Sequence, residues 1–102
     1  MKNKVNIMIR DECGEFAGTR YLGKKIRSQV EAEIEAGNEV IIDFSNVDGT
    51  SHGFLDELVG KLYKENGFEG YSVENYNNFI EPILRFVIYT RMKERYNEIH
   101  GL

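Results

Sequence analysis

Apolar and polar residues alternate near the start of the chain and then recur at helical spacing. Val5, Ile7 and Ile9 alternate with less apolar neighbours, which predicts a strand over Lys4–Ile9. After a polar loop at Asp11–Gly18, apolar residues recur at every fourth position, at Leu22, Ile26, Val30 and Ile34. This spacing places them on one face of a helix. Thr19 is a suitable N-cap for that helix, and Gly37 stands where a left-handed residue ends one.

The middle of the chain carries its strongest apolar run, Val40-Ile41-Ile42 followed by Phe44. A continuous run of this kind is typical of a strand covered on both faces. Asp48-Gly49 predicts a turn. A second helix is expected from about Gly53 to Asn66-Gly67, because apolar residues recur at three- and four-residue spacing between them.

The last third of the chain predicts a strand and a helix. Tyr71–Tyr76 has strand character, and the helix starts either at a capping box on Asn78 and Glu81 or with Pro82 at its first helical position. The segment 86–90 has high strand propensity, but the charged residues after it continue a helical pattern. The order βαβαβα predicts an α/β protein: a single small domain over residues 1–102, with helices packed on a parallel or mixed sheet.

Composition narrows the class of protein. The chain has 102 residues, one cysteine, 13 basic and 17 acidic residues, and a net charge of −4. We expect a cytoplasmic protein, since there is no signal-peptide pattern and no apolar run near the ~20 residues that span a bilayer. The acidic balance argues against general nucleic-acid binding. The two histidines and the cysteine show no metal-ligand spacing, so neither a metal nor another cofactor is expected.

The loop after the central run contains the candidate chemistry. Ser51 is either the N-cap of the second helix or a residue that accepts a phosphate. His52 is more easily explained as a solvent-facing residue than as a general base beside Ser51, because adjacent turn residues seldom face each other. Asp43 closes the strand, where ligands often approach open sheets, but a carboxylate bonded to loop amides explains it better.

Charges along the first helix run against its dipole. Its N-terminal half is basic and its C-terminal half is acidic. A solvated face with mutually balancing charges explains this order, and the alternative is a patch that binds an acidic partner. The residues of that possible basic patch are Arg20, Lys24, Lys25 and Arg27.

The central run, the serine-bearing loop and the sequence Phe54-Leu55-Asp56-Glu57-Leu58 resemble the STAS-like family of bacterial domains of unknown function. Gly18-Thr19-Arg20 and Leu22-Gly23 extend the resemblance. More distantly the chain is similar to the STAS domains of anti-sigma-factor antagonists, whose loop reads Asp-Ser-Ser-Gly. Here the matching residues are Thr50-Ser51-His52-Gly53, which keep one serine and the glycine.

The resemblance implies a regulatory protein-binding module rather than an enzyme. Antagonists of that type bind a histidine-kinase-like ATPase, and phosphorylation of the loop serine breaks the complex. We therefore expect a protein partner to dock on residues 48–62, with Ser51 as a possible switch. The residues expected to meet it are Asp48, Thr50, Ser51, His52 and Phe54. A homo-oligomer is possible, through the apolar last helix. The alternatives are a mobile-element or phage protein that inhibits a host defence complex, and a small hydrolase built on Ser51, His52 and Asp43.

Overall fold

Strands and helices alternate along the chain as the hydrophobic pattern predicts, with several short elements added. The structure is a computed structural model that describes residues 2–101. Its elements are β1 (Lys4–Met8), α1 (Ile9–Cys13), β2 (Phe16–Ala17), α2 (Arg20–Glu35), β3 (Glu39–Asp43), β4 (Gly49–Thr50), α3 (His52–Leu55), a π-helical segment (Asp56–Gly60), α4 (Lys61–Asn66), β5 (Tyr71–Glu74) and α5 (Ile80–His100).

The main sheet has the order β1-β3-β5 with all three strands parallel, which confirms the expected α/β class. Val40 pairs with Val5 on one side and with Tyr71 on the other. Val40 and Ile42 are almost fully buried, whereas the alternate residue Ile41 is only partly buried and lies between Asn6 and Ser72. The prediction of a central strand covered on both faces is therefore wrong, because the second face of the sheet is largely polar.

The first predicted helix is confirmed together with its ends. The hydroxyl of Thr19 accepts a hydrogen bond from the Leu22 amide at 3.2 Å, as an N-cap does. Ile26 and Val30 are fully buried against the sheet and the neighbouring helices. Gly37 has a φ of 89°, which only glycine adopts at low cost, so the chain can turn sharply towards β3.

The turn after β3 lies earlier than predicted. Ser45 and Asn46 form it, with Asn46 at a φ of 61°, while Gly49 already belongs to β4. β4 pairs in parallel with β2, so a two-stranded sheet joins the loop after β3 to the segment expected to be an irregular loop. The Asp43 carboxylate stabilises the turn at this earlier position, because it accepts hydrogen bonds from the Ser45 amide and hydroxyl, at 2.8 and 2.6 Å.

The second helix begins one residue before the predicted Gly53 and is interrupted by the π segment before it continues as α4. Gly67, with a φ of 64°, follows its last residue. A Cβ built on Gly60 would lie 2.7 Å from Asp56 Oδ1 and 2.8 Å from a Val87 methyl. Gly60 thus allows the π segment to lie directly against α5.

The last segment is helical throughout, despite its strand-prone middle. The helix begins at Ile80 and therefore at neither of the two predicted starts. The Asn77 side-chain oxygen accepts hydrogen bonds from the amides of Phe79 and Ile80, both at 3.0 Å, so the capping side chain lies one residue before Asn78. Ile80, Leu84 and Val87 are the buried residues of α5, and they complete the core over the π segment.

Candidate functional site

The loop between β3 and α3 is fixed at both of its ends. Phe44 and Val47 are buried at its start, and the Asp48 amide donates a 2.7 Å hydrogen bond to the Glu15 carbonyl. From the other side, the Asn77 amide group donates to the carbonyls of Val47 and Asp48, at 3.3 and 2.9 Å. The loop is therefore a defined surface, built where β2, α5 and the central strand meet.

Ser51 is the N-cap of α3. Its hydroxyl oxygen accepts from the Phe54 amide at 3.0 Å, and its proton is donated to the Gly18 carbonyl at 2.8 Å. The side chain is half-buried, with both hydrogen-bonding capacities of the hydroxyl used. The cap prediction is confirmed, and the second bond adds a direct tie between this loop and the segment that leads into α2.

The five residues expected to meet a partner separate into an inner and an outer group. Phe54 is fully buried and meets Phe44 edge to face at 6.4 Å, and Thr50 is 7% exposed with its hydroxyl donated to the Ala17 carbonyl at 2.7 Å. These two support the loop from inside, which corrects their placement in a docking surface. Asp48 and His52 are exposed, and Ser51 lies between the groups.

Exposed aromatic rings lie beside the outer group and on the segments that hold the loop, a feature that the sequence analysis did not find. The His52 ring lies 5.4 Å from the Phe86 ring, and Phe86 is 58% exposed. Phe16 is also exposed and covers Gly49, whose built Cβ would lie 3.1 Å from the ring. Phe79, 80% exposed, follows the Asn77 that bonds the loop. We call Phe16, His52, Phe79 and Phe86 the aromatic rim.

The hydrolase arrangement is not formed by the three residues considered for it. Ser51 bonds Gly18 and Phe54, His52 lies against Phe86, and Asp43 bonds Ser45 and the Asn75 amide group. The hydrogen bond from Ser45, followed by that from Asn75, holds the pKa of Asp43 below its ordinary value of 3.8 against the effect of burial. Among the described residues, none of these three side chains is hydrogen-bonded to another of the three, so the structure shows no hydrogen-bonded triad here.

The four basic residues of α2 do not form one free patch. Arg20 lies 3.1 Å from Asp56 and 3.4 Å from Glu57, Lys25 bonds Glu12 at 3.4 Å, and Lys24 is exposed. Arg27 lies 3.6 Å from Glu57. The balanced-charge interpretation fits this arrangement, since three of the four cations meet carboxylates of other elements.

A buried ion pair between the π segment and α5 is a further feature that sequence analysis missed. Arg91 binds Asp56 with two hydrogen bonds, Nε to Oδ1 at 2.9 Å and Nη2 to Oδ2 at 2.8 Å. Burial opposes ionisation of Asp56, but the hydrogen bonds and charges of Arg91 and Arg20 outweigh it, so the pKa of Asp56 lies below its ordinary value. Residues at this separation, 35 apart, give no pairing signal in a single sequence.

Residues 2–101 give no support to a reactive cysteine, a metal site or a membrane-spanning helix. Burial, then the neighbouring Glu12, raises the pKa of Cys13, which disfavours the reactive thiolate. No group of three or more histidine, cysteine or acidic side chains within these residues could hold a metal ion. Nor does any helix among them combine the length and apolar character needed to cross a membrane.

The parallel sheet with a serine-capped helix after its central strand makes the chain an α/β domain, and the arrangement is consistent with a STAS-like fold. Residues 23–80 match the family described as a STAS-like domain of unknown function, and the chain belongs to that family. The match includes most of α2 together with β3, the Ser51 loop and β5, so the resemblance to the STAS-like family is confirmed. The comparisons with curated proteins and with solved structures gave no significant match.

Proposed function

We propose that this protein is a regulatory module that binds another protein through the Ser51 loop and the aromatic rim. The observation that carries the proposal is the exposure of Phe16, Phe79 and Phe86, at 59, 80 and 58%, around one fixed loop. Aromatic residues are enriched in the buried centres of protein interfaces, and a preformed loop loses little entropy on binding. The docking surface is thus the loop and the rim, while the helix after Phe54 supplies the support beneath.

Phosphorylation of Ser51 is the proposed switch. A phosphate on the hydroxyl would remove the proton donated to the Gly18 carbonyl and place negative charge beside that carbonyl. Arg20 is a cation close to this part of the loop, since a Cβ built on Gly53 would lie 3.0 Å from its Cγ. The modification would therefore disturb the tie between the loop and α2 and draw Arg20 away from Asp56 and Glu57.

The proposed partner class comes from the resemblance to anti-sigma-factor antagonists, which bind histidine-kinase-like ATPases. A partner of that class, or another signalling protein, would meet the rim with an apolar surface and the loop with hydrogen-bonding groups. Small-molecule chemistry has less support, since the hydroxyls of Thr50 and Ser51 already donate to the backbone carbonyls of Ala17 and Gly18.

Co-purification from the native host, followed by calorimetry with the purified candidate, tests the docking surface. Phe86→Glu should weaken binding at least about 10-fold, because it places a charge within an apolar contact. Ile99→Glu is the matched control, since Ile99 is 67% exposed near the far end of the same helix. Equal affinity of the Phe86→Glu variant and the parent would refute the docking surface.

A pair of substitutions at Ser51 isolates the effect of charge. Asp and Asn are both good N-caps, so Ser51→Asp and Ser51→Asn preserve the start of α3, but only Ser51→Asp adds negative charge and lacks a donor for the Gly18 carbonyl. The switch predicts that Ser51→Asp loses the partner while Ser51→Asn retains it. Loss of the partner in both variants would mean that the serine hydroxyl itself, and not added charge, controls binding.

A further inference from the structure

β5 is an outer strand of the main sheet, and its free edge carries unused backbone groups. The Val40 amide donates to the Gly70 carbonyl, and the Phe44 amide donates to the Glu74 carbonyl, both at 2.9 Å. In a parallel ladder alternate residues face the partner strand, so Tyr71 and Val73 direct their N–H and C=O groups outward. Within residues 2–101 no strand pairs with that edge.

An apolar groove of about 730 Å³ lies directly beside this edge, between β5 and α5. Phe68, Tyr76, Tyr89 and Met92 line it with exposures of 61, 37, 57 and 46%. At about 200 Å² for a large side chain, these four present roughly 400 Å² of apolar surface, as large as the biggest patch of a typical monomer. β1, the opposite outer strand, carries no exposed large hydrophobic residue.

We propose that a second copy of this chain covers the groove, with β5 pairing antiparallel to β5 of the partner and the two α5 helices side by side. Strand addition supplies the missing hydrogen bonds for Tyr71 and Val73. A standard interface buries about 800 Å² per partner, of which about 60% is apolar, and the groove with its partly buried residues Val73 and Ile88 provides most of that apolar share.

Symmetry favours a second copy over an unrelated strand. An edge strand that pairs with itself about a two-fold axis is necessarily antiparallel, and its surface must be self-complementary. The groove meets this requirement in charge, because the exposed Glu74 ends the strand and Arg85 lines the groove. Among residues 2–101, Glu81 of the same helix is the one partner of Arg85, at 2.9 Å, and the Arg85 side chain is 79% exposed, so it remains accessible to an opposite charge. The resulting sheet would have the order β1-β3-β5-β5-β3-β1.

Sedimentation velocity of the full chain between about 1 and 200 µM tests the dimer. Tyr89→Glu should weaken self-association at least about 30-fold, because it introduces a charge into the apolar contact. Phe86→Glu is a matched control: it is 58% exposed against 57% for Tyr89, but it does not line the groove and instead contacts His52 in the aromatic rim. Dimerisation should survive Phe86→Glu, which separates this inference from the proposed docking of another protein.

Amide exchange of the parent chain, followed by NMR at low and high concentration, provides a test without substitution. The Val73 amide should become protected as concentration rises, whereas Ser72, which faces β3, should be protected at both concentrations. A chain that remains monomeric at 200 µM would overturn the proposal. So would a dimer that Tyr89→Glu leaves intact, or one in which the exchange of Val73 does not change with concentration.

Discussion

The buried pair between Asp56 and Arg91 leads to a quantitative prediction. Its side chains are only 10 and 16% exposed, and two short hydrogen bonds join them. Removing one partner of a buried pair costs about 3–5 kcal/mol because the remaining charge is left buried. Arg20 still lies 3.1 Å from Asp56, so we expect Arg91→Met to lower the free energy of unfolding by about 3 kcal/mol, the lower end of that range.

Urea denaturation followed by circular dichroism measures this loss. With a slope of about 1.5 kcal/mol/M for a small domain, the midpoint should fall by about 2 M. Arg85→Met is the control, since it removes another ion-paired arginine of α5 whose side chain is 79% exposed, and it should cost less than about 0.5 kcal/mol. Similar losses of stability in both variants would contradict a buried-charge penalty, as would an Arg91→Met cost that is unchanged in an Asp56→Asn background.

Three further predictions concern stability. Gly60→Ala should cost about 1–3 kcal/mol, because its Cβ would lie 2.7 Å from Asp56 Oδ1 and 2.8 Å from Val87; an unchanged thermal midpoint would contradict this. Ser51→Ala should cost about 1 kcal/mol through the lost cap, and Ser51→Asn much less, as urea midpoints would reveal. The pKa values of Asp43 and Asp56 lie below 3.8 in the folded state, so the unfolded chain binds more protons in acid. Their contribution should be complete above about pH 4 and disappear as pH falls through the folded-state values; midpoints that stay level from pH 6 to pH 2 would argue against it.

Periodicity in the sequence was sufficient to predict the three main strands, α2, the second helix and α5. It failed where elements were too short to repeat a pattern, as at α1 with five residues and at β2 and β4 with two each. It also failed at the second face of the sheet. Ile41 continues an apolar run in sequence, yet its neighbours across the strands are Asn6 and Ser72, and only the pairing register reveals that.

The candidate site was only partly predictable, because patterns in a single sequence reveal relations between nearby residues and not between distant ones. The role of Ser51 as a cap depends on residues three positions away and can be inferred locally. The aromatic rim unites Phe16, Phe79 and Phe86, which are up to 70 residues apart, and nothing local distinguishes them from core aromatics. For Phe54 the sequence suggested a surface residue, because it follows the loop directly, but its side chain is buried in the core.

The all-parallel pairing of the main sheet has a consequence for how the chain folds. Val5 meets Val40, and Val40 meets Tyr71, so every pairing in that sheet closes a loop of more than 30 residues. No hairpin can nucleate the sheet, and the chain must lose the entropy of loop closure before contacts between strands can stabilise it. The helices form from local contacts on a shorter timescale. The pairing of β3 with β1 and β5 should therefore limit the rate of folding.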